Sequence, residues 1–165
     1  MFSARFVVVA VLSLLTLPAL CPAQSAASST ATCTLADDRE IYIRYNAVSA
    51  KSERPANGKP WTPGGAAMTL FTEAPLTLGH TTIPIGAYAV YPIPAKDKWT
   101  LVINKNVTAG SAYDEKQDLA RTAMETDQIP QAADTLEVAF AHYGSKCTLR
   151  IYFGKAASFA DFTAK

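Results

Sequence analysis

Apolar and polar side chains alternate along most of this chain, and that period of two constrains its fold more than any other feature. In the segment 39–48, for example, Ile41, Ile43 and Tyr45 alternate with polar or charged residues. Such alternation places the apolar side chains on one face of a β-strand, whereas an amphipathic helix needs a period of 3.6 residues. No long helical pattern lies between the alternating segments, which argues against a parallel α/β fold.

The alternating segments are short, and residues that favour turns separate them. We therefore expect an all-β fold, an antiparallel β-sandwich or a partly closed barrel of about eight to nine short strands. The stretch 113–119 contains helix-forming residues and predicts one short helix, and the Pro- and Gly-rich stretch 49–65 predicts a long loop. The segments that could form these strands are 39–48, 68–72, 76–78, 81–85, 88–93, 99–105, 120–126, 136–142, 146–153 and 157–162.

The N-terminus has the layout of a secretory signal peptide, residues 1–23. Arg5 precedes an uncharged apolar run, and small residues end the segment at Ala23. The run is shorter than the roughly 20 residues that a membrane-spanning helix needs, so we expect export to the periplasm or the exterior without a stable membrane anchor. Lipid attachment at Cys21 is the alternative, although Leu20 stands where lipoprotein signals prefer a small residue.

Cleavage would leave a segment rich in Ser, Ala and Thr, and then a single domain. We expect residues 24–32 to form a flexible leader and residues 33–165 to form one domain. The two remaining cysteines, Cys33 and Cys147, share the parity of apolar neighbours and should both point into the core. An even number of cysteines in an oxidising compartment favours a disulfide bond between them, and two separate buried thiols are the alternative.

Charge and motif content narrow the range of functions. The chain has 15 Lys and Arg against 14 Asp and Glu, which argues against a nucleic-acid partner because such binding needs a basic excess. Signatures of a catalytic serine, a zinc protease, a phosphate loop or a dinucleotide fold are absent from the sequence. Two isolated histidines, His80 and His142, do not provide a zinc site, so we predict neither a metal nor a cofactor.

Three motifs stand out along the chain: 83–94 (IPIGAYAVYPIP), 99–105 (WTLVINK) and 113–121 (YDEKQDLAR). They resemble those of the bacterial domain-of-unknown-function 2911 family, and the likeness extends over about 34–162. The resemblance implies an exported, all-β bacterial domain of uncharacterised role and implies no activity. The family usually reads Trp-Arg-Thr-Gly-Ala-Asn-Glu where this chain has 61–67 (WTPGGAA), so Thr62, Ala66 and Ala67 replace its Arg, Asn and Glu.

Five residues in or near these motifs are the candidate ligand contacts. Trp61 and Tyr113 could stack on a ligand, Lys105 and Arg121 could bind an anionic group, and Asp114 could orient a polar one. Each also has a structural explanation. An aromatic residue can belong to the core, an acid can cap the short helix, and Arg121 can pair with a nearby carboxylate.

These features favour a non-enzymatic binding module whose partner is a small molecule, a glycan or an envelope protein. One alternative is a periplasmic hydrolase that uses paired carboxylates. It would require Asp114 and Asp118 to meet Glu73 or Glu137 in a cleft. Another alternative is an assembly role through an exposed sheet edge.

Overall fold

The computed structural model describes residues 27–165, so the predicted signal peptide and residues 24–26 of the predicted leader lie outside the described part. Ten strands and two three-residue 3-10 helices, Pro63–Gly65 and Glu115–Gln117, make up the described chain. The strands are β1 Ala27–Thr34, β2 Glu40–Ala47, β3 Met68–Thr72, β4 Leu76–Leu78, β5 Thr81–Ile83, β6 Gly86–Ile93, β7 Thr100–Asn104, β8 Asp118–Ala123, β9 Glu125–Tyr143 and β10 Lys146–Ala164.

The strands form two antiparallel sheets that pack as a sandwich. The six-stranded sheet has the order β1-β2-β3-β6-β7-β8, and the four-stranded sheet has the order β5-β4-β10-β9. This confirms the predicted all-β fold and decides for the sandwich over a closed barrel. Among residues 27–165, no helix has the length and apolar character needed to cross a bilayer.

The predicted alternation correctly assigns the faces of the strands. The predicted core residue Trp99 is buried, as are Leu101 and Ile103, which have the same parity. Tyr88 and Tyr91 lie on opposite faces of β6, as their odd spacing predicts. Tyr88 joins the core between the sheets, and Tyr91 joins a smaller cluster on the outer face of the six-stranded sheet.

Two strands extend well beyond their predicted limits. β9 and β10 each have 19 residues and form one long hairpin around Gly144, with register shifts on either side of Gly154. The alternation predicts separate short strands at 136–142, 146–153 and 157–162. The first part of β9 is polar and mostly exposed, so it carries little alternation, and it is a strand because β10 supplies its hydrogen bonds.

The predicted flexible leader is wrong for residues 27–32, which belong to β1. This strand pairs along its whole length with β2, from Ala27 opposite Ala47 to Thr34 opposite Glu40. Its side chains are small, so the contrast between buried and exposed positions is weak in the sequence, although Ala31 is buried.

A disulfide bond joins the two sheets, as the cysteine parity predicts. Cys33 on β1 and Cys147 on β10 are bonded, with their Cα atoms 6.2 Å apart. Both residues are buried in the main core. The bond is compatible with an exported protein, because structural disulfides persist in oxidising compartments.

Candidate functional site

The structure brings three of the five predicted site residues together. Of the other two, Lys105 reaches the same region only through its backbone, and Trp61 lies elsewhere. Tyr113, Asp114 and Arg121 meet on the outer side of the six-stranded sheet, next to the second 3-10 helix. Lys105 joins this region through its backbone, whose N–H donates to the Gln117 carbonyl at 2.9 Å, and its side chain is exposed.

Trp61 lies away from this group, in the core between the sheets. Its ring contacts Phe153 at a centroid distance of 4.7 Å and Trp99 at 6.2 Å, and only 5% of the residue is exposed. The indole Nε1 donates a hydrogen bond to Glu53 at 2.6 Å. The structural explanation for Trp61 therefore holds: it anchors the long loop 49–65 to the core.

A hydrogen-bond network of Asn104, Tyr113, Asp118 and Arg121 joins the ends of β7 and β8; we call it the Tyr113 network. The Tyr113 hydroxyl donates to Asp118 Oδ2 at 2.7 Å, and Arg121 Nε donates to the same oxygen at 2.9 Å. Arg121 Nη2 donates to the Tyr113 hydroxyl oxygen at 2.7 Å, and Asn104 Nδ2 donates to Asp118 Oδ1 at 2.7 Å. Both oxygens of the Asp118 carboxylate are thus engaged.

Two groups of this network, Tyr113 and Arg121, have raised pKa values. Burial, together with the hydrogen bond to Asp118, raises the pKa of Tyr113 to about 12. The hydrogen bond to Tyr113 is the main cause of a raised pKa at Arg121. Arg121 also approaches the exposed Glu115, with 3.3 Å between Nη1 and Oε1. The predicted local ion pair of Arg121 with Asp118 is therefore present, at 2.9 Å.

Asp114 caps the second 3-10 helix, as the structural explanation for it states. Its side chain accepts a hydrogen bond from the Lys116 N–H at 3.0 Å. The Asp114 carbonyl accepts from Asn104 Nδ2 at 2.8 Å, and Asn104 is almost completely buried. These contacts fasten the far end of the segment 105–117 to the sheet.

A cavity of about 240 Å³ lies on this outer face, and we call it the Tyr91 cavity. Thr69 on β3 with Ala89 and Tyr91 on β6 forms its base. Its walls are Thr62 with residues 65–67 on one side and residues 106–111 on another. Three of its lining residues, Thr62, Ala66 and Ala67, are those that replace the Arg, Asn and Glu of the motif of the family that this chain resembles.

Tyr91 lines this cavity and is not among the five predicted ligand contacts. It is 2% exposed, and its ring packs edge-on against Tyr113 at a centroid distance of 4.9 Å. Burial and the nearby negative charge of Asp118 raise the pKa of Tyr91. The odd spacing of Tyr88 and Tyr91 already placed one of them outside the core, and that spacing was the available signal.

The Tyr91 hydroxyl is free to meet a ligand. It forms no hydrogen bond with a side chain or backbone group of residues 27–165, yet no side-chain polar atom in that range is both fully buried and unsatisfied. Because Tyr91 also lines the Tyr91 cavity, its hydroxyl is a candidate ligand contact.

The carboxylates needed for the hydrolase alternative do not come together. Asp114 and Asp118 flank the second 3-10 helix. Glu73 follows β3 and accepts a hydrogen bond from the Glu40 N–H at 2.8 Å, and Glu137 lies on β9 in the other sheet. Within residues 27–165, no three His, Cys, Asp or Glu side chains cluster closely enough to hold a metal ion.

Comparison with known protein families matches residues 26–159 to the family described as "Protein of unknown function (DUF2911)". The matched range includes β1 through β9 and most of β10, and therefore the Tyr91 cavity and the Tyr113 network. No curated protein and no solved structure matches the chain.

Proposed function

The chain belongs to this family of proteins of unknown function, DUF2911, and we propose that its domain is a non-enzymatic binding module whose ligand-binding site is the Tyr91 cavity. The observation that carries the proposal is Tyr91, a nearly buried tyrosine whose free hydroxyl adjoins an open cavity. A concave site with a few polar groups on a rigid scaffold is the usual form of a small-molecule site. The cavity is small, so the ligand is a small molecule or one ring-sized unit of a larger glycan.

Most of the predicted site residues do not line this cavity, and they contribute to it by holding Tyr91 and the cavity wall in position. Tyr113 packs against the ring of Tyr91, and its hydroxyl is hydrogen-bonded to Arg121 and Asp118. Asp114 caps the second 3-10 helix, which lies at the end of the segment 105–117. In the proposal these residues position Tyr91 and the segment 105–117, and they do not bind the ligand. Trp61 and Lys105 lie outside the cavity lining.

The geometry favours binding over hydrolysis. The carboxylate nearest to Tyr91 in the network, Asp118, accepts three hydrogen bonds, one of them from Arg121. Both oxygens of this carboxylate are therefore already engaged by protein donors. Glu73, which follows β3, and Glu137, on β9, are not brought beside Asp118, so the carboxylate set that the hydrolase alternative requires does not form.

We further propose that the module works outside the cytoplasm. The predicted signal peptide is the basis of this proposal, and the disulfide between Cys33 and Cys147 is compatible with it.

A fragment screen by NMR tests the proposal. A library of ring-sized neutral and charged compounds is added to the isotope-labelled domain, and we expect amide shifts in 62–69, 89–91 and 106–111. The substitution Ala89→Leu fills the base of the cavity and should abolish these shifts. Ala132→Leu makes the same change at an exposed position on β9 and should leave them unaltered. Amide shifts that map to other residues, or that persist in Ala89→Leu, would refute the assignment of the binding site to this cavity.

A further inference from the structure

Building on the proposed function, we propose that the ligand of the Tyr91 cavity is a neutral carbohydrate unit rather than an anionic or a purely apolar compound. The inference depends on three properties of the cavity: its charge, its unengaged hydrogen-bonding groups and its size.

The cavity lining contains no ionisable acid or base other than Tyr91 itself. None of its residues is Lys, Arg, His, Asp or Glu. Burying a charged ligand group without a partner is costly, whereas a neutral hydroxyl needs only a hydrogen bond. The composition of the lining therefore disfavours a carboxylate or a phosphate.

The charges behind the cavity reinforce this preference. The positive charge of Arg121 is matched by Asp118 and faces a second acid, Glu115, so these three residues together carry an excess of one negative charge. Arg121 already directs Nε, Nη1 and Nη2 to Asp118, Glu115 and Tyr113. Binding an anion there would require breaking these contacts.

Several polar groups of the lining are left for a ligand. Among the described residues, the hydroxyls of Thr62, Thr69 and Tyr91 have no hydrogen-bond partner. Asn106 uses its Oδ1 to accept from the Thr108 N–H at 3.1 Å, which leaves the amide Nδ2 as a donor. Hydroxyls both donate and accept, so this set matches the alternating donors and acceptors of a sugar ring.

The lining also has an apolar part. Ala67, Ala89 and Val107 present methyl groups beside the polar ones, which suits the carbon–hydrogen faces of a sugar. The volume of about 240 Å³ is below the roughly 300–1,000 Å³ of drug-sized sites, so it holds a single ring. A purely apolar ring would fill this space but would leave the hydroxyl and amide groups without partners.

Titration with matched sugars tests the inference. The probes are the methyl glycosides of glucose, galactose, mannose and N-acetylglucosamine, together with glucuronate and galacturonate. We expect at least one neutral glycoside to bind with a Kd of about 1 mM, and its uronate counterpart to bind about tenfold more weakly. The change Thr69→Val, which replaces the hydroxyl by a methyl group of similar shape, should weaken the neutral sugar by about tenfold.

Two substitutions separate the inference from the proposed function. Ala66→Leu fills the cavity from an exposed loop position and carries little risk to folding, and Ala132→Leu is its control. A uronate that binds more tightly than its neutral counterpart, or fragments that bind the cavity while every sugar fails, would overturn the carbohydrate assignment alone. A sugar that binds equally well to wild type and to Ala66→Leu would overturn both.

Discussion

The disulfide between Cys33 and Cys147 should supply a large share of the stability of this domain. The bond closes a loop with a sequence separation of 114 residues. In the chain-entropy model a loop of this length restricts the unfolded chain by about 5 kcal/mol at 25 °C. Natural disulfides in exported domains typically contribute about 2–5 kcal/mol, and a domain of this size has about 5–15 kcal/mol in total. The magnitude is therefore comparable with much of the net stability.

Replacing both cysteines tests this value. The variant Cys33→Ala/Cys147→Ala is expected to lose about 3–5 kcal/mol in free energy of unfolding, measured by urea denaturation. The slope of the transition should rise, because an unfolded chain without the cross-link exposes more surface. Wild type unfolded in the presence of a thiol reductant is the control, because it loses the cross-link without losing the sulfur atoms that pack in the core.

The burial of both cysteines predicts that reduction of the native protein is slow. Both cysteine residues are nearly inaccessible, at 3% and 0% exposure, so reductant should react with the bond only through unfolding. A loss below about 1 kcal/mol with an unchanged slope would refute the entropic argument. Rapid reduction under native conditions would refute the burial argument.

Three further predictions concern the network and the loop anchor. Asp118→Ala should lower the free energy of unfolding, measured by urea denaturation, by about 2–4 kcal/mol because it removes the acceptor of three hydrogen bonds. Glu115→Gln, which changes an exposed ion pair, should lower it by less than about 1 kcal/mol. The pKa of Tyr113 is raised to about 12, against 10.0 for an unperturbed tyrosine. Its neutral form therefore stabilises the fold fully below pH 10, and this contribution is lost as the pH rises through 12. The free energies of unfolding of wild type and Tyr113→Phe should converge between these two pH values. Trp61→Ala should cost about 3–5 kcal/mol because it opens the core beside Phe153; a loss under 1 kcal/mol would show that the loop is not anchored there.

Much of the candidate site was visible in the sequence, but not its centre. The motif 113–121 contains Tyr113, Asp114 and Arg121, and their local contacts could be anticipated because local spacing determines a helix cap and an ion pair three residues apart. Tyr91 was not selected, although its parity set it apart from Tyr88. Its importance depends on a wall formed by residues 106–111, which lie far from it along the chain.

The fold shows the same division between local and long-range information. Strands with strong alternation, such as β3 and β4, have the predicted bounds, because their burial pattern repeats every second residue. β1 and the first half of β9 have small or polar side chains and were not predicted as strands. Their conformation depends on hydrogen bonds from β2 and β10, which no local pattern encodes.

The amino-acid sequence by itself determined that this chain forms β-strands, which of their faces are buried, and that Cys33 and Cys147 point into one core. These properties follow from the period of two, which is a property of neighbouring residues. Only the tertiary structure decided that the strands close as a sandwich and that Trp61 faces inward while Thr62 lines the outer cavity. Those outcomes depend on which distant segments pack together, since both the contacts and the empty space between them are long-range.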